Sequence, residues 1–140
     1  MTRLTATSEV YREVETRISQ AYQGMARGDL EGLMTLYTPD AVIQSPGEAP
    51  VEGSAEIREF WRGTFATYRV EMVPTLSEVT QDGDLVVVRG TASGAFRPIA
   101  GAPAVQVNSW FMQIYRRQGS GGLAFWRGAN GPNPQLETKR

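Results

Sequence analysis

Apolar residues in the first half of the chain recur at spacings of three and four. Val10, Val14, Ile18, Ala21, Tyr22 and Met25 form such a stripe, which predicts an amphipathic helix near residues 8–27. Gly28 supplies its stop and Asp29 can cap a second, short helix near 29–37, with Leu30, Leu33, Met34 and Tyr37 on its buried face. Thr38-Pro39-Asp40 ends that helix. Ala41–Gln44 reads as a short strand, and the run from Ser45 to Pro50 as a loop. Ser54 is placed to cap a third helix near 54–66, whose Ile57, Phe60, Trp61 and Phe65 share one face.

The pattern then shortens to a period of two. Arg69–Val79 alternates weakly, with Pro74 marking an edge or a bulge. Asp82-Gly83 signals a hairpin turn into the β-rich run Leu85–Phe96. Val105–Arg117 and Leu123–Asn130 form a last pair, joined by Gly119-Ser120-Gly121-Gly122. Helices followed by a strand meander predict an α+β fold, three helices against one face of a curved antiparallel sheet. The pattern shows no repeat or linker, so residues 1–131 read as one domain and 132–140 as a flexible tail.

Composition narrows the chemistry more than the fold. The 140 residues contain no cysteine and no histidine. That removes disulfides, thiolate nucleophiles, the Ser-His-Asp triad and almost every transition-metal site. No metal and no cofactor is implied. Fourteen basic residues balance fifteen acidic ones, so no footprint for nucleic acid or an anionic membrane is present. No run approaches the roughly 18 apolar residues of a membrane span, and the first ten residues lack the apolar stretch of a signal peptide. A cytoplasmic protein is the expectation.

Three segments carry a resemblance. Ala26-Arg27-Gly28-Asp29-Leu30-Glu31-Gly32-Leu33, Leu36-Tyr37-Thr38-Pro39-Asp40-Ala41-Val42-Ile43 and Gly53-Ser54-Ala55-Glu56-Ile57-Arg58-Glu59-Phe60-Trp61 together resemble the NTF2-like superfamily, in its ketosteroid-isomerase and SnoaL-like branch. The resemblance spans about residues 10–131. It implies a cone with one deep apolar pocket, and it says less about activity, because the superfamily hosts isomerases, cyclases, hydrolases, carriers and assembly domains.

The same resemblance places the isomerase's groups on this chain. Its catalytic Asp falls on Ser45, which cannot act as that base at neutral pH without an activating partner. Its oxyanion-binding Tyr falls on Ala21, one position from Tyr22. Its second Tyr falls on Trp61, which donates a hydrogen bond but relays no proton. Its protonated Asp falls on Gln113, an amide that can donate to an oxyanion but cannot titrate. Steroid isomerisation of the usual kind is therefore rejected.

Two registers remain open for the strand around Gln113. If Gln113 points inward, so do Ser109, Phe111 and Tyr115; a slip of one would instead bury Trp110, Met112 and Ile114. In the first register, alternation on the last strand turns Trp126, Gly128 and Asn130 inward. The expected site then has Gln113, Asn130 and Tyr22 as its polar working groups, with Ser45, Trp61, Phe65, Phe111, Tyr115 and Trp126 lining it. Glu71 or Glu78 is the only acid with a chance of facing the pocket, and Arg89, in a Val-rich strand, is expected to be buried in the pocket or, by preference, in a dimer interface. The outer face bearing Trp110, Met112 and Ile114 predicts a homodimer. The resemblance implies either a cyclase or isomerase acting on a hydrophobic, polyketide-like metabolite through shape and neutral hydrogen bonds, or a non-catalytic ligand carrier or dimerisation protein of the same fold.

Overall fold

A computed structural model describes residues 5–134. Three helices, α1 (Ser8–Arg27), α2 (Leu30–Met34) and α3 (Gly53–Thr67), pack against a six-stranded sheet. Its strands are β1 (Tyr37–Gln44), β2 (Val51–Glu52), β3 (Tyr68–Asp82), β4 (Leu85–Pro98), β5 (Val105–Arg117) and β6 (Leu123–Pro132). The strand order is β2-β1-β6-β5-β4-β3. All pairs are antiparallel except β1 with β6. That single parallel pair arises because β1 follows the two helices rather than a hairpin turn.

The local signals explain most boundaries. Thr7 accepts a hydrogen bond from the Val10 amide at 3.2 Å and opens α1. Gly28 closes it in the left-handed conformation, φ +68°. The Asp29 side chain accepts from the Gly32 amide at 3.0 Å and opens α2 immediately afterwards. Val10, Val14 and Ile18 of α1 are buried against Val79, Val86, Val88, Phe111 and Tyr115 of the sheet. Ile57, Trp61 and Phe65 of α3 pack with Leu33, Ala41 and Ile43 in a second cluster. Phe125 touches both, and the space between the two clusters is the cavity described below.

Two expectations are corrected. The second helix stops at Met34 rather than 37, and Tyr37 begins β1. Pro39 is tolerated in this strand because the register with β6 breaks between Tyr37 and Val42, where no amide is needed for the ladder. Ser54 does not cap α3. The Glu52 amide is satisfied by the Glu56 carboxylate at 2.8 Å, and the Ser54 hydroxyl donates to the Pro39 carbonyl at 3.5 Å instead. Pro74 lies on β3, the last strand of the sheet. The register shift of that strand falls at Leu76/Glu78, so Pro74 marks the edge and not a bulge. Of the expected tail, Asn133 still donates its amide to Asn108 at 2.9 Å; residues 135–140 lie outside the described residues.

Candidate functional site

The cone encloses a cavity of about 220 Å³. Its walls are apolar: Met25, Ile43, Phe60, Trp61, Val70, Met72, Phe96, Val107, Phe111 and Phe125 face it. Its polar lining is Tyr22, Tyr37, Ser45, Thr64, Ser109, Gln113 and Asn130. Among the described residues no charged side chain lines it. Such a site binds by shape and by neutral hydrogen bonds, with water largely excluded by aromatic walls.

β5 settles in the register that turns Ser109, Phe111 and Gln113 to the cavity and leaves Trp110 and Met112 42% and 46% exposed on the outer face. The inner end of the cavity is built from α1, β1 and β5. Trp61 Nε1 donates to the Tyr37 hydroxyl oxygen at 3.1 Å, so the Tyr37 proton is directed elsewhere. The Tyr115 hydroxyl donates to Gln113 Oε1 at 2.8 Å. That bond fixes the amide and leaves its NH₂ as the donor available to a ligand. The Tyr22 hydroxyl bonds no protein group among the described residues. At the other end, where β1 and β6 finish, Asn130 Nδ2 donates to Ser45 Oγ at 3.3 Å. The serine hydroxyl and the Asn130 carbonyl remain free to meet a ligand.

Burial controls the protonation of this end. It pushes the Tyr22 phenol up to about 12. Tyr37 and Tyr115 are raised further by the same loss of water, reinforced by the neighbouring phenols. All three remain neutral hydrogen-bond groups at physiological pH and none can serve as a base there. Among the described residues no carboxylate hydrogen-bonds the Ser45 hydroxyl, and the chain has no imidazole, so the group stays unactivated.

The expected lining residues separate into three groups. Tyr22, Ser45, Trp61, Phe111, Gln113 and Asn130 face the cavity. Phe65 and Tyr115 are buried one layer behind it. Phe65 stacks on Trp61 with ring centroids 5.4 Å apart, and Tyr115 supports Gln113 from beneath. Trp126 is on the outside. Tyr115 pairs with Phe125 whereas Ile114 pairs with Arg127, so Trp126 is the extra residue of a β-bulge and alternation fails across it. Phe125 points inward in its place, with its ring edge-to-face on Tyr37 at 5.0 Å. Trp126 lies instead between Arg116 and Arg127, whose guanidinium carbons are 4.8 and 4.3 Å from its ring centre, and donates to Asp40 Oδ2 at 3.3 Å. The Thr38 hydroxyl above all, helped by Trp126 and Arg116, holds the Asp40 carboxyl below its ordinary range.

Neither candidate acid reaches the cavity. Glu71 pairs with Arg97 at 2.9 Å and Glu78 with Arg89 at 3.0 Å, all four exposed on the outer face. Arg89 is thus exposed on the outer face of the single chain, paired with Glu78, and does not line the pocket. Tyr37 and Phe125 are among the cavity residues absent from the expected site, with Met25, Ile43, Phe60, Thr64, Val70, Met72, Phe96 and Val107. The one signal for Phe125 was Gly128, a glycine inside a strand. A Cβ there would lie 2.2 Å from the Phe125 ring, so the ring crosses the strand where only glycine leaves room.

Among the described residues no group of three or more acidic side chains is placed to hold a metal ion, and no helix is long and apolar enough to cross a membrane. A family profile described as SnoaL-like domain matches residues 18–126. No curated protein matches the chain in sequence. Among solved structures, a ketosteroid isomerase-like protein from Erwinia carotovora atroseptica is 21% identical with a TM-score of 0.82, over 92% of this chain and 100% of that one. A candidate aromatic ring hydroxylase from Novosphingobium aromaticivorans is 22% identical with a TM-score of 0.81, over 94% of each chain. A candidate dehydratase of the NTF2-like family from Streptomyces avermitilis is 22% identical with a TM-score of 0.76, over 92% of this chain and 100% of that one. At these identities the likeness is one of fold.

Proposed function

The chain belongs to the SnoaL-like domain family, and from that premise we propose that it is a cytoplasmic small-molecule protein whose cone binds a compact, mostly apolar metabolite carrying a carbonyl or enol oxygen. The observation that supports this best is the 220 Å³ apolar cavity with Gln113, Tyr22 and Tyr37 at its inner end and, among the described residues, no charged group on its wall. The volume lies below the roughly 300–1,000 Å³ of drug-sized pockets. It suits one or two rings rather than an extended fused system, which narrows the polyketide-like class expected from the sequence. The reaction that fits is a cyclisation, isomerisation or dehydration in which the site holds a reactive conformer and the Gln113 amide stabilises charge developing on oxygen. Names such as isomerase-like and candidate dehydratase among its structural neighbours are compatible with that class. The second reading, a non-catalytic carrier, draws on the absence of any acid or base at the site.

Native mass spectrometry of the freshly purified protein, followed by thermal-shift screening of small cyclic ketones, enols and phenols, tests the binding claim. A ligand that stabilises the protein and is displaced by no pocket substitution would overturn it. Turnover of that ligand separates enzyme from carrier.

The pH dependence follows from the lining. No cavity group titrates between carboxylate and phenol values, and burial moves the phenols upward. Activity or ligand affinity is therefore expected to be flat from about pH 6 to pH 8. A bell centred near pH 6.5 would point to a carboxylate base brought into the cone.

We further propose that the outer sheet face makes a homodimer. Val73, Trp110 and Met112 are exposed there, and the ion pair Glu78–Arg89 beside Met112 gives a polar margin. A carboxylate placed on this face meets its symmetry mate or loses its water. Met112→Glu is thus expected to weaken dimerisation by about 100-fold or more, measured by light scattering across micromolar concentrations. A wild-type protein that is already monomeric there would sink the assignment.

A further inference from the structure

Behind the site lies a second, much smaller cavity of about 30 Å³, lined by Arg17, Ala21, Tyr22, Tyr37, Gln113 and Tyr115 together with apolar groups of α1, α2 and β6. Tyr22, Tyr37 and Gln113 also line the main cavity, so the Gln113 side chain stands between the two. Arg17 and Leu36 are shared in turn with a cleft open at the surface, which Gln20, Gln118 and Leu123 complete. The small cavity thus borders the main cavity across Tyr22, Tyr37 and Gln113 and the surface cleft across Arg17 and Leu36.

We propose that the small cavity is a bound-water site, held by the Tyr22 hydroxyl with Tyr115 and Gln113 as its further partners, bordering the floor of the main cavity. The volume admits one water and at most two, since an interior site needs roughly 10–15 Å³ of accessible space and two to four polar partners. The partners are present. Tyr22 is half-buried and its hydroxyl bonds no protein group among the described residues, so it retains both a donor and lone pairs for a water. The Tyr115 oxygen gives its proton to Gln113 and keeps its lone pairs for a donor. On the far side Arg17 is fixed by donating Nε to the Leu123 carbonyl at 2.9 Å, so a charged, hydrated group borders the outer cleft rather than an apolar plug. This inference does not rest on the proposed reaction. A carrier would use the same water to complete its floor, and an enzyme could release or take up water there.

The test is a high-resolution crystal structure of the protein beside Tyr22→Phe and Ala21→Val, paired with magnetic relaxation dispersion of water oxygen in solution. The wild type should show an ordered water within hydrogen-bond distance of Tyr22 Oη and one long-lived water in solution. Tyr22→Phe removes its principal partner, and Ala21→Val fills the space, so each should lose both signals. If Tyr22→Phe fails to fold, Ala21→Val alone decides. A dry cavity in the wild type, or a water retained at full occupancy in either folded variant, would overturn the proposal.

Discussion

Gln113→Leu is expected to lower turnover of the cavity's ligand by about 10²–10³-fold, the usual cost of removing one oxyanion-stabilising donor. The amide is oriented by Tyr115, whose hydroxyl holds Oε1 at 2.8 Å, so its NH₂ is presented to the cavity before any ligand arrives. Leucine keeps the approximate volume and removes that donor. It also strips the Tyr115 hydroxyl of its acceptor, and a buried phenol left unpaired destabilises by about 1–3 kcal/mol. The variant should therefore melt earlier as well as work more slowly. The double variant Gln113→Leu/Tyr115→Phe separates the two effects. It should recover much of the stability and none of the rate. Ser45→Ala is expected to matter far less, because Ser45 is an unactivated hydroxyl that receives the Asn130 amide at 3.3 Å and faces the opposite end of the cavity. Steady-state kinetics on the ligand found by screening, with thermal melts alongside, checks all three. A Ser45 change more damaging than the Gln113 change would move the chemistry to the other end of the cone. If the protein is a carrier, the Gln113 loss appears instead as about tenfold weaker binding, the worth of one neutral hydrogen bond.

Gly94→Ala is expected to destabilise the fold by about 3 kcal/mol, a fall in Tm of about 10 °C for a domain of this size. Two costs coincide at Gly94. Its φ is +154°, a conformation that residues with a Cβ rarely adopt, and a Cβ there would lie 2.1 Å from the Glu71 carbonyl oxygen on the neighbouring strand. That obstacle is backbone, so no rotamer change relieves it. β4 and β3 would have to separate at the Met72–Gly94 pair, beside Met72 and Phe96, which wall the cavity. Two other glycines calibrate the result. Gly101 has φ +97° but open space around it, so alanine there should cost only about 1 kcal/mol of backbone strain. Gly63 sits in α3 with no positive φ and no neighbour within 4 Å; alanine there should stabilise by about 0.5–1 kcal/mol through helix propensity. Calorimetry or chemical denaturation of the three variants tests the order. A Gly94→Ala protein as stable as wild type would show that β3 and β4 slide freely at this point.

Elements whose burial follows from a single local period were legible. α1 has one apolar stripe, a threonine before it and a glycine after it, and nothing beyond those signals is needed to place its ends. The long strands β3 to β6 were legible for the same reason, with Gly83 and the glycines after Gln118 marking two of their turns. The second helix was not. Leu30, Leu33, Met34 and Tyr37 fit helical spacing, but burial of Tyr37 is satisfied as well by a strand lying beside β6. Only the contact with Phe125, 88 positions away, distinguishes the two.

The same distinction runs through the site. Composition alone excluded imidazole and thiol chemistry, because a residue type that is absent acts nowhere. Period-two alternation brought Phe111 and Gln113 to one face of β5, because neighbouring side chains in a strand must alternate. Alternation could not carry past the bulge at Trp126. That bulge is held from outside by Asp40, 86 positions earlier, and by the two arginines that flank the indole. Whether an acid enters the cone was likewise a tertiary decision. Glu71 and Glu78 have opposite parity along β3, and the register shift between Leu76 and Glu78 puts both on the outer face, where Arg97 and Arg89 pair with them. The sequence by itself determined α1, α3, the long strands and the kinds of chemistry available. The folded chain decided which neutral groups meet, because hydrogen bonds and bulges join residues whose separation along the chain leaves no local trace.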